Sequence, residues 1–286
     1  MKYRLLSLIP KNLQSYMLGS LTRMRAPSPL GKMLNEKFVS FFNINMAEAE
    51  KPLLGYATIE DVFTRKLKDG ARPIQGDLCA PCDGVLRISA PLEAGEAVQE
   101  KGLTYKIEEL LYGNDQSAWD QGFQPYWYSS FYLAPHNYHR VHSPLAGTLK
   151  SILYIPGQLW PVNDTFNKIV PKLFCRNERV VFSLSDGQGG KAYLVMIGAL
   201  HVGRIAVSHE PSLISNALTR QFRKTFPRTI KFVSEKQLEI GEELGTFMLG
   251  SSVVVVFDKI MAERFNLKKI TTPSPICLGQ AFPRLY

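Results

Sequence analysis

Residues 241–257, GEELGTFMLGSSVVVVF, place a Gly-Ser bond between a glycine-containing turn and a strongly β-branched run. Gly250 has no Cβ, so its carbonyl can be approached closely and its backbone can take conformations that clash for other residues. Val253, Val254, Val255 and Val256 read as a stiff buried strand that holds the far side of the bond. A serine hydroxyl is a weak nucleophile until a base takes its proton, so attack by Ser251 on the Gly250 carbonyl calls for a histidine, preferably oriented by a carboxylate. Two segments offer these groups. Residues 131–144, FYLAPHNYHRVHSP, hold His139 and His142 three apart in a stretch that reads as strand, short loop, strand. Odd spacing on a strand turns two rings to opposite faces, which separates their roles. Residues 80–86, APCDGVL, set Asp83 at a turn before Gly84 and an apolar run, where a carboxylate can orient an imidazole.

The elements that must carry these residues divide the chain into a helical N-terminal region, 1–72, and a β-rich core, 73–286, an α+β organisation. Pro27 to Gly31 separates a first amphipathic segment from a second over 32–42, and Thr58 to Asp61 resembles a capping box opening a helix through Leu67. Beyond Pro73 come short apolar runs bounded by Gly, Pro, Asn and Asp, the pattern of strands and turns. No low-complexity linker interrupts the core. APCDGVL at 80–86 is echoed by SPLAGTL at 143–149 in its Pro, Gly and apolar spacing. With the 241–251 hairpin, this echo resembles the hairpins of barrel-sandwich hybrid folds.

Seven motifs occur in order: FTRKLKDGARPI at 63–74, APCDG at 80–84, KGLTYKIEELL at 101–111, YHRVHSP at 138–144, PGQLWPVN at 156–163, LFCRNERVV at 173–181 and LGSS at 249–252. Together they resemble the pyruvoyl-dependent phosphatidylserine decarboxylases of the prokaryotic type, over nearly the whole chain. The resemblance implies that Asp83, His142 and Ser251 form a triad acting once, on the protein's own backbone. His142 would take the Ser251 proton while Asp83 holds the imidazole in the right tautomer. Ser251 would attack the Gly250 carbonyl and exchange the amide for an ester. Elimination would release the upstream chain and leave a dehydroalanine, which hydrolyses to a pyruvoyl group and ammonia. The products are a large subunit, 1–250, and a small one, 251–286. The pyruvoyl ketone at position 251, the implied cofactor, would form a Schiff base with the amine of phosphatidylserine and accept electrons as carbon dioxide leaves. His139 would act as the acid that reprotonates the product or as a contact to the substrate carboxylate, two roles the sequence does not separate. Ser252 departs from the family pattern, where threonine is more usual, but keeps the hydroxyl. A homodimer is also implied by the resemblance alone.

Charge and hydropathy fit a lipid substrate. The 286 residues carry a formal net charge of +9, which favours an acidic partner, either nucleic acid or an anionic membrane. Between Met1 and Asn35 lie Lys2, Arg4, Lys11, Arg23, Arg25 and Lys32 with no acidic residue, interleaved with leucines, Ile9, Tyr16 and Met17. That is an interfacial pattern suited to anionic phospholipid and not to nucleic acid. No apolar run reaches the roughly 20 residues needed to span a bilayer, and no signal-peptide pattern is present. The expected location is peripheral, on the cytoplasmic face of the cell membrane. The bland alternative packs these helices on the core with their cations solvated.

Other groups have structural readings. Cys79 and Cys82 make a CxxC without a second pair, so reduced thiols are expected and no metal. Trp160, Phe166 and the run Tyr126, Trp127, Tyr128 either line an acyl passage or fill the core. Arg176, Asn177, Glu178 and Arg179 either bind phosphate or form a buried polar network. Three rival functions have distinct signatures. A serine hydrolase using the same triad would stay uncut and would want a GxSxG elbow, which is absent. A noncatalytic carrier of the hybrid-barrel type would not need a serine after Gly250. A pyruvoyl-dependent decarboxylase of a soluble amino acid derivative would not need the basic amphipathic N-terminus.

Overall fold

The computed structural model describes residues 11–25, 29–100, 103–113, 120–200, 204–215, 230–248 and 251–285. Gly250, the side chain of Ser251 and the basic residues before Lys11 lie outside the described parts.

Among the described residues, two helices come first, α1 (Lys11–Thr22) and α2 (Leu30–Phe42), then a 3-10 turn (Leu53–Gly55) and a short α3 (Ile59–Phe63). α2 stops at Asn43, which takes the left-handed conformation at φ 53° and donates its N–H back to the Val39 and Ser40 carbonyls. α3 starts as its sequence predicts: the Thr58 hydroxyl accepts from the Asp61 N–H at 3.0 Å. It ends four residues earlier than Leu67. Continuing the helix would need the Lys68 N–H to reach the Thr64 carbonyl, but Leu67 pairs with Ala49 and the Lys68 N–H donates to the Glu48 carbonyl, while Arg140 satisfies the Thr64 oxygen with Nε at 3.0 Å and Nη2 at 2.9 Å. The helix is therefore stapled to the core at its C-terminal end.

The core is sheet-rich. Its strands are β1 (Gly84–Pro91), β2 (Glu96–Glu100), β3 (Leu103–Lys106), β4 (Pro125–Leu133), β5 (Arg140–His142), β6 (Gly147–Ile155), β7 (Arg179–Ser185), β8 (Lys191–Ile197), β9 (Ile205–Val207), β10 (Ile230–Leu238), β11 (Glu243–Phe247), β12 (Ser251–Asp258) and β13 (Ser274–Ile276). Eight of them form one antiparallel sheet in the order β10-β6-β7-β8-β12-β4-β1-β13. β5-β11-β9 makes a second sheet and β2-β3 a hairpin. Short helices α4 (Ile107–Tyr112), α5 (Asp164–Asn167), α6 (Leu173–Arg176) and α7 (Lys259–Arg264) fill the connections.

The unbroken valine run is explained by burial on both faces of the large sheet. Val253, Val255 and Phe257 pack into one core with Val141, Leu244 and Phe247 of the three-stranded sheet. Val254 and Val256 face a second core containing Tyr105, Leu110, Trp160 and Phe174. Alternate residues of β12 thus serve two separate hydrophobic layers.

The echo between 80–86 and 143–149 has a structural counterpart. Each segment enters a strand at its glycine, β1 at Gly84 and β6 at Gly147, and each glycine is pressed against a neighbouring carbonyl. A Cβ would meet the Tyr132 oxygen at 2.3 Å in the first and the Ser185 oxygen at 2.2 Å in the second. The residue just before each segment bonds the other: the Cys79 N–H donates to the Pro144 carbonyl and the His142 N–H to the Pro81 carbonyl. The loop before β1 and the strand carrying His142 are consequently held side by side.

Candidate active site

His142 ends β5, whose partner strand is β11, with His142 directly opposite Glu243. β11 runs toward the Gly250-Ser251 bond, and β12 begins at Ser251, where its backbone pairs with Leu133 of β4 and, from Ser252 on, also with β8. The histidine strand and the Gly-Ser segment are therefore joined through one short stretch of chain.

The His142 ring has two polar contacts. Its Nδ1 lies 2.7 Å from the Gly241 carbonyl, which can only accept, so Nδ1 carries the proton. Nε2 then holds the lone pair and accepts from the Tyr138 hydroxyl at 3.2 Å. Burial lowers the His142 pKa, opposed by the Gly241 hydrogen bond and by the negative fields of Glu243 and Asp83. The ring is thus a neutral base whose lone pair, at Nε2, is held by the Tyr138 hydroxyl.

Asp83 is buried, 4 % exposed. Arg72 grips it bidentately, Nε at 2.9 Å from Oδ1 and Nη2 at 2.7 Å from Oδ2, and the Leu278 N–H donates to Oδ1 at 2.9 Å. No hydrogen bond joins Asp83 to His142 in this structure. The Gly241 carbonyl, not Asp83, fixes the imidazole tautomer, and Asp83 reaches the ring through its charge. Arg72 is itself held by Glu48 at 2.8 Å, which ties the Asp83 loop to the N-terminal region.

Glu243 is the second acid near His142. Burial works to raise its pKa, yet the Arg140 charge and hydrogen bonds, with His142 and Ser208, outweigh burial and leave it lowered. Arg140 Nη1 donates to both carboxylate oxygens, at 3.0 and 2.8 Å. The same arginine that caps α3 therefore keeps this carboxylate ionised beside His142.

His139 lies in the loop before β5, so strand alternation does not place it, and the turn separates the two rings instead. It is fully buried, with its Nδ1 donating to the Asn137 carbonyl at 2.8 Å and the Phe63 ring of α3 over it at 3.9 Å between centroids. Its Nε2 has no partner among the described residues. Burial pushes its pKa down to about 3, so the ring is neutral and presents an unused acceptor. Its backbone carbonyl accepts from the Phe247 N–H, which fixes the loop to the end of β11.

Tyr138, Gly241, Glu243 and Arg72 do the work of positioning here and carried no role in the sequence reading. Tyr138 and Arg72 sit inside the YHRVHSP and GARPI motifs, which was the available signal. Of the other polar candidates, Asn177 and Arg179 form buried networks with the backbone. Trp127 donates to Ser89, and Trp160 lies in the second core. Cys79 and Cys82 are buried and unbridged.

Comparison with known proteins gives the class first. Curated relatives named phosphatidylserine decarboxylase proenzyme align over most of the chain. That of Myxococcus xanthus is 33% identical over 261 residues, covering 89% of this chain and 88% of its own. That of Shewanella denitrificans is 36% identical over 270 residues, covering 92% and 91%. That of Pseudomonas aeruginosa is 38% identical over 279 residues, covering 96% and 93%. The chain is thus an enzyme of the decarboxylase class. A family model described as phosphatidylserine decarboxylase matches residues 59–281, from the start of α3 to the last turn after β13. The chain belongs to the phosphatidylserine decarboxylase family.

Proposed function

We propose that the chain is a precursor that cuts itself between Gly250 and Ser251 and then converts phosphatidylserine to phosphatidylethanolamine. The observation that carries this reading is the neutral His142, its Nδ1 proton held by the Gly241 carbonyl and its Nε2 left as an acceptor, on β5, which pairs with β11, the strand that leads on to the Gly-Ser bond. The word proenzyme in the relatives' names supports the cutting step. In the processing step His142 Nε2 receives the Ser251 proton, giving up the Tyr138 hydrogen bond. The Gly241 carbonyl then holds the charged ring at Nδ1, while Asp83 and Glu243 stabilise its charge.

The orphaned acceptor of His139 fits a group that must meet a protonated amine. A pyruvoyl group derived from Ser251 supplies a ketone electron sink for a primary amine, which no side chain offers. His139 enters as an acceptor: its neutral Nε2 receives a hydrogen bond from the substrate ammonium. Phe63 covers the ring that makes this contact.

The lipid assignment and a peripheral position on the cytoplasmic face of the membrane belong to the same proposal. They are supported by apolar side chains standing in solvent on the N-terminal helices, Met17, Leu21, Leu34 and Phe41, the last 80 % exposed, with Met24 just past α1 and Arg25 and Lys32 nearby in sequence. No helix among the described residues is long and apolar enough to cross a membrane. A likeness to barrel-sandwich hybrid folds is likewise proposed, supported by the paired glycine entries of β1 and β6.

Intact-mass measurement under denaturing conditions tests the reading. The expected products are fragments 1–250 and 251–286, the second beginning with pyruvoyl. A full-length chain with an unmodified serine at 251 after prolonged incubation refutes it, as does normal cutting in His142→Ala. His139→Ala is expected to cut but not to decarboxylate.

A further inference from the structure

Two arginines are buried among the described residues, and they differ. Arg179, 1 % exposed, donates to the backbone carbonyls of Leu110, Cys175, Asn177 and Glu109, so its guanidinium is fully engaged. Arg65, 3 % exposed, makes one hydrogen bond, from Nη2 to the His136 carbonyl at 3.2 Å. Its Nε and Nη1 are buried without a partner, and no carboxylate among the described residues pairs with it. An arginine cannot shed its proton to escape burial, so unspent guanidinium donors in the interior are a standing cost.

The surroundings say what would relieve that cost. Arg65 follows the C-terminus of α3, and its contact with His136 lays it on the same 134–139 turn that carries His139. Phe63, two residues before it, covers the His139 ring. One turn thus gathers unused donors on a fixed cation and an unused acceptor on a neutral ring. That pair complements a zwitterion bearing an oxyanion and an ammonium. The nearby arginines are already committed, Arg72 to Asp83 and Glu48, Arg140 to Glu243 and the Thr64 carbonyl.

We infer that Arg65 is a substrate-positioning residue whose guanidinium receives an oxyanion of the headgroup, phosphate or carboxylate, while His139 receives the ammonium. This rests on the proposed function. The burial that lowers the Arg65 pKa agrees with a site lacking its counter-ion.

The test compares wild type, Arg65→Met and Arg65→Lys for processing, melting temperature and decarboxylation of phosphatidylserine in mixed micelles. An apolar isostere removes a buried charge that pairs with no carboxylate among the described residues and gives up one hydrogen bond, to the His136 carbonyl, so Arg65→Met should process normally and melt no lower than wild type. Its KM should rise at least about tenfold, with Arg65→Lys in between. Inhibition by glycerophosphoethanolamine, which has the phosphate and lacks the carboxylate, separates the two oxyanions. Weaker inhibition of Arg65→Met assigns the phosphate, and unchanged inhibition with a raised KM assigns the carboxylate. An unchanged KM, or an Arg65→Met protein that is unfolded or markedly less stable, overturns the inference. A wild-type protein that neither cuts nor decarboxylates overturns the underlying function instead.

Discussion

Removing the Arg72 head group leaves the Asp83 carboxylate almost sealed from solvent with the Leu278 N–H as its remaining donor. Arg72 supplies a bidentate grip at 2.7 and 2.9 Å, and Asp83 is 4 % exposed, so solvent screening offers little relief. Breaking a buried pair from one side costs about 3–5 kcal/mol, because an uncompensated charge stays behind. Arg72→Met should therefore be destabilised by that order, Glu48 adding less because it is more exposed. Removing both charges, as Arg72→Met with Asp83→Asn, should be far milder than the sum of the single changes, with a coupling of about 2–3 kcal/mol. All four proteins are compared on a Ser251→Ala background, which keeps every chain uncut and makes their unfolding comparable. Urea denaturation at pH 7 reads the cycle. Single effects that add to within about 0.5 kcal/mol would refute the claim that Arg72 is what makes a buried Asp83 tolerable.

Acid should weaken the uncut protein through His139. An unfolded histidine at its ordinary 6.5 gains a proton as pH falls, while the folded ring, held at about 3, does not. Stability is then present above pH 6.5 and lost below it, by about 2 kcal/mol between pH 7 and pH 5. His142, also lowered by burial, adds in the same direction, and His139→Asn should flatten the slope seen in urea titrations at each pH. Gly241→Ala should slow cutting on a time course, since φ is +79° and a Cβ would sit 2.6 Å from the Ile74 Cδ1, with strain of about 1–2 kcal/mol shifting the carbonyl that holds His142. Gly84→Ala should lower stability by about 1–3 kcal/mol and slow cutting, because a Cβ 2.3 Å from the Tyr132 carbonyl must part β1 from β4 next to Asp83.

Local signals in the sequence translated well. The Thr58 cap, the change from helices to strands, the valine run as a buried strand and the strand-loop-strand around the histidines are all set by residues within a few positions of one another. What was not legible depends on pairings between distant segments. The end of α3 is decided by the pairing of Leu67 with Ala49 and capped by Arg140, 76 positions away from Thr64. The partner of Asp83 is Arg72, and nothing in turn chemistry distinguishes a carboxylate that reaches a histidine from one captured by a nearby arginine. The tautomer of His142 is set by a backbone carbonyl 99 positions away, and a carbonyl carries no side-chain signature. The sheet order has the same character, since β12 lies between β4 and β8 although all three are remote in sequence.

That placement of β12 bears on what happens after the proposed cut. All of Ser251–Asp258 pairs with β4, and Ser252 to Phe257 also pairs with β8, while β13 closes the far edge against β1. The 251–286 piece would be a tenant of the middle of a sheet whose other strands come from the larger piece. Freed ends could not loosen it without opening two ladders and both hydrophobic layers at once. Once unfolded, however, two separate chains would have to find each other and insert a central strand, a second-order event with no tether. The cut enzyme would be long-lived through slow unfolding and would fold only once, as the intact precursor.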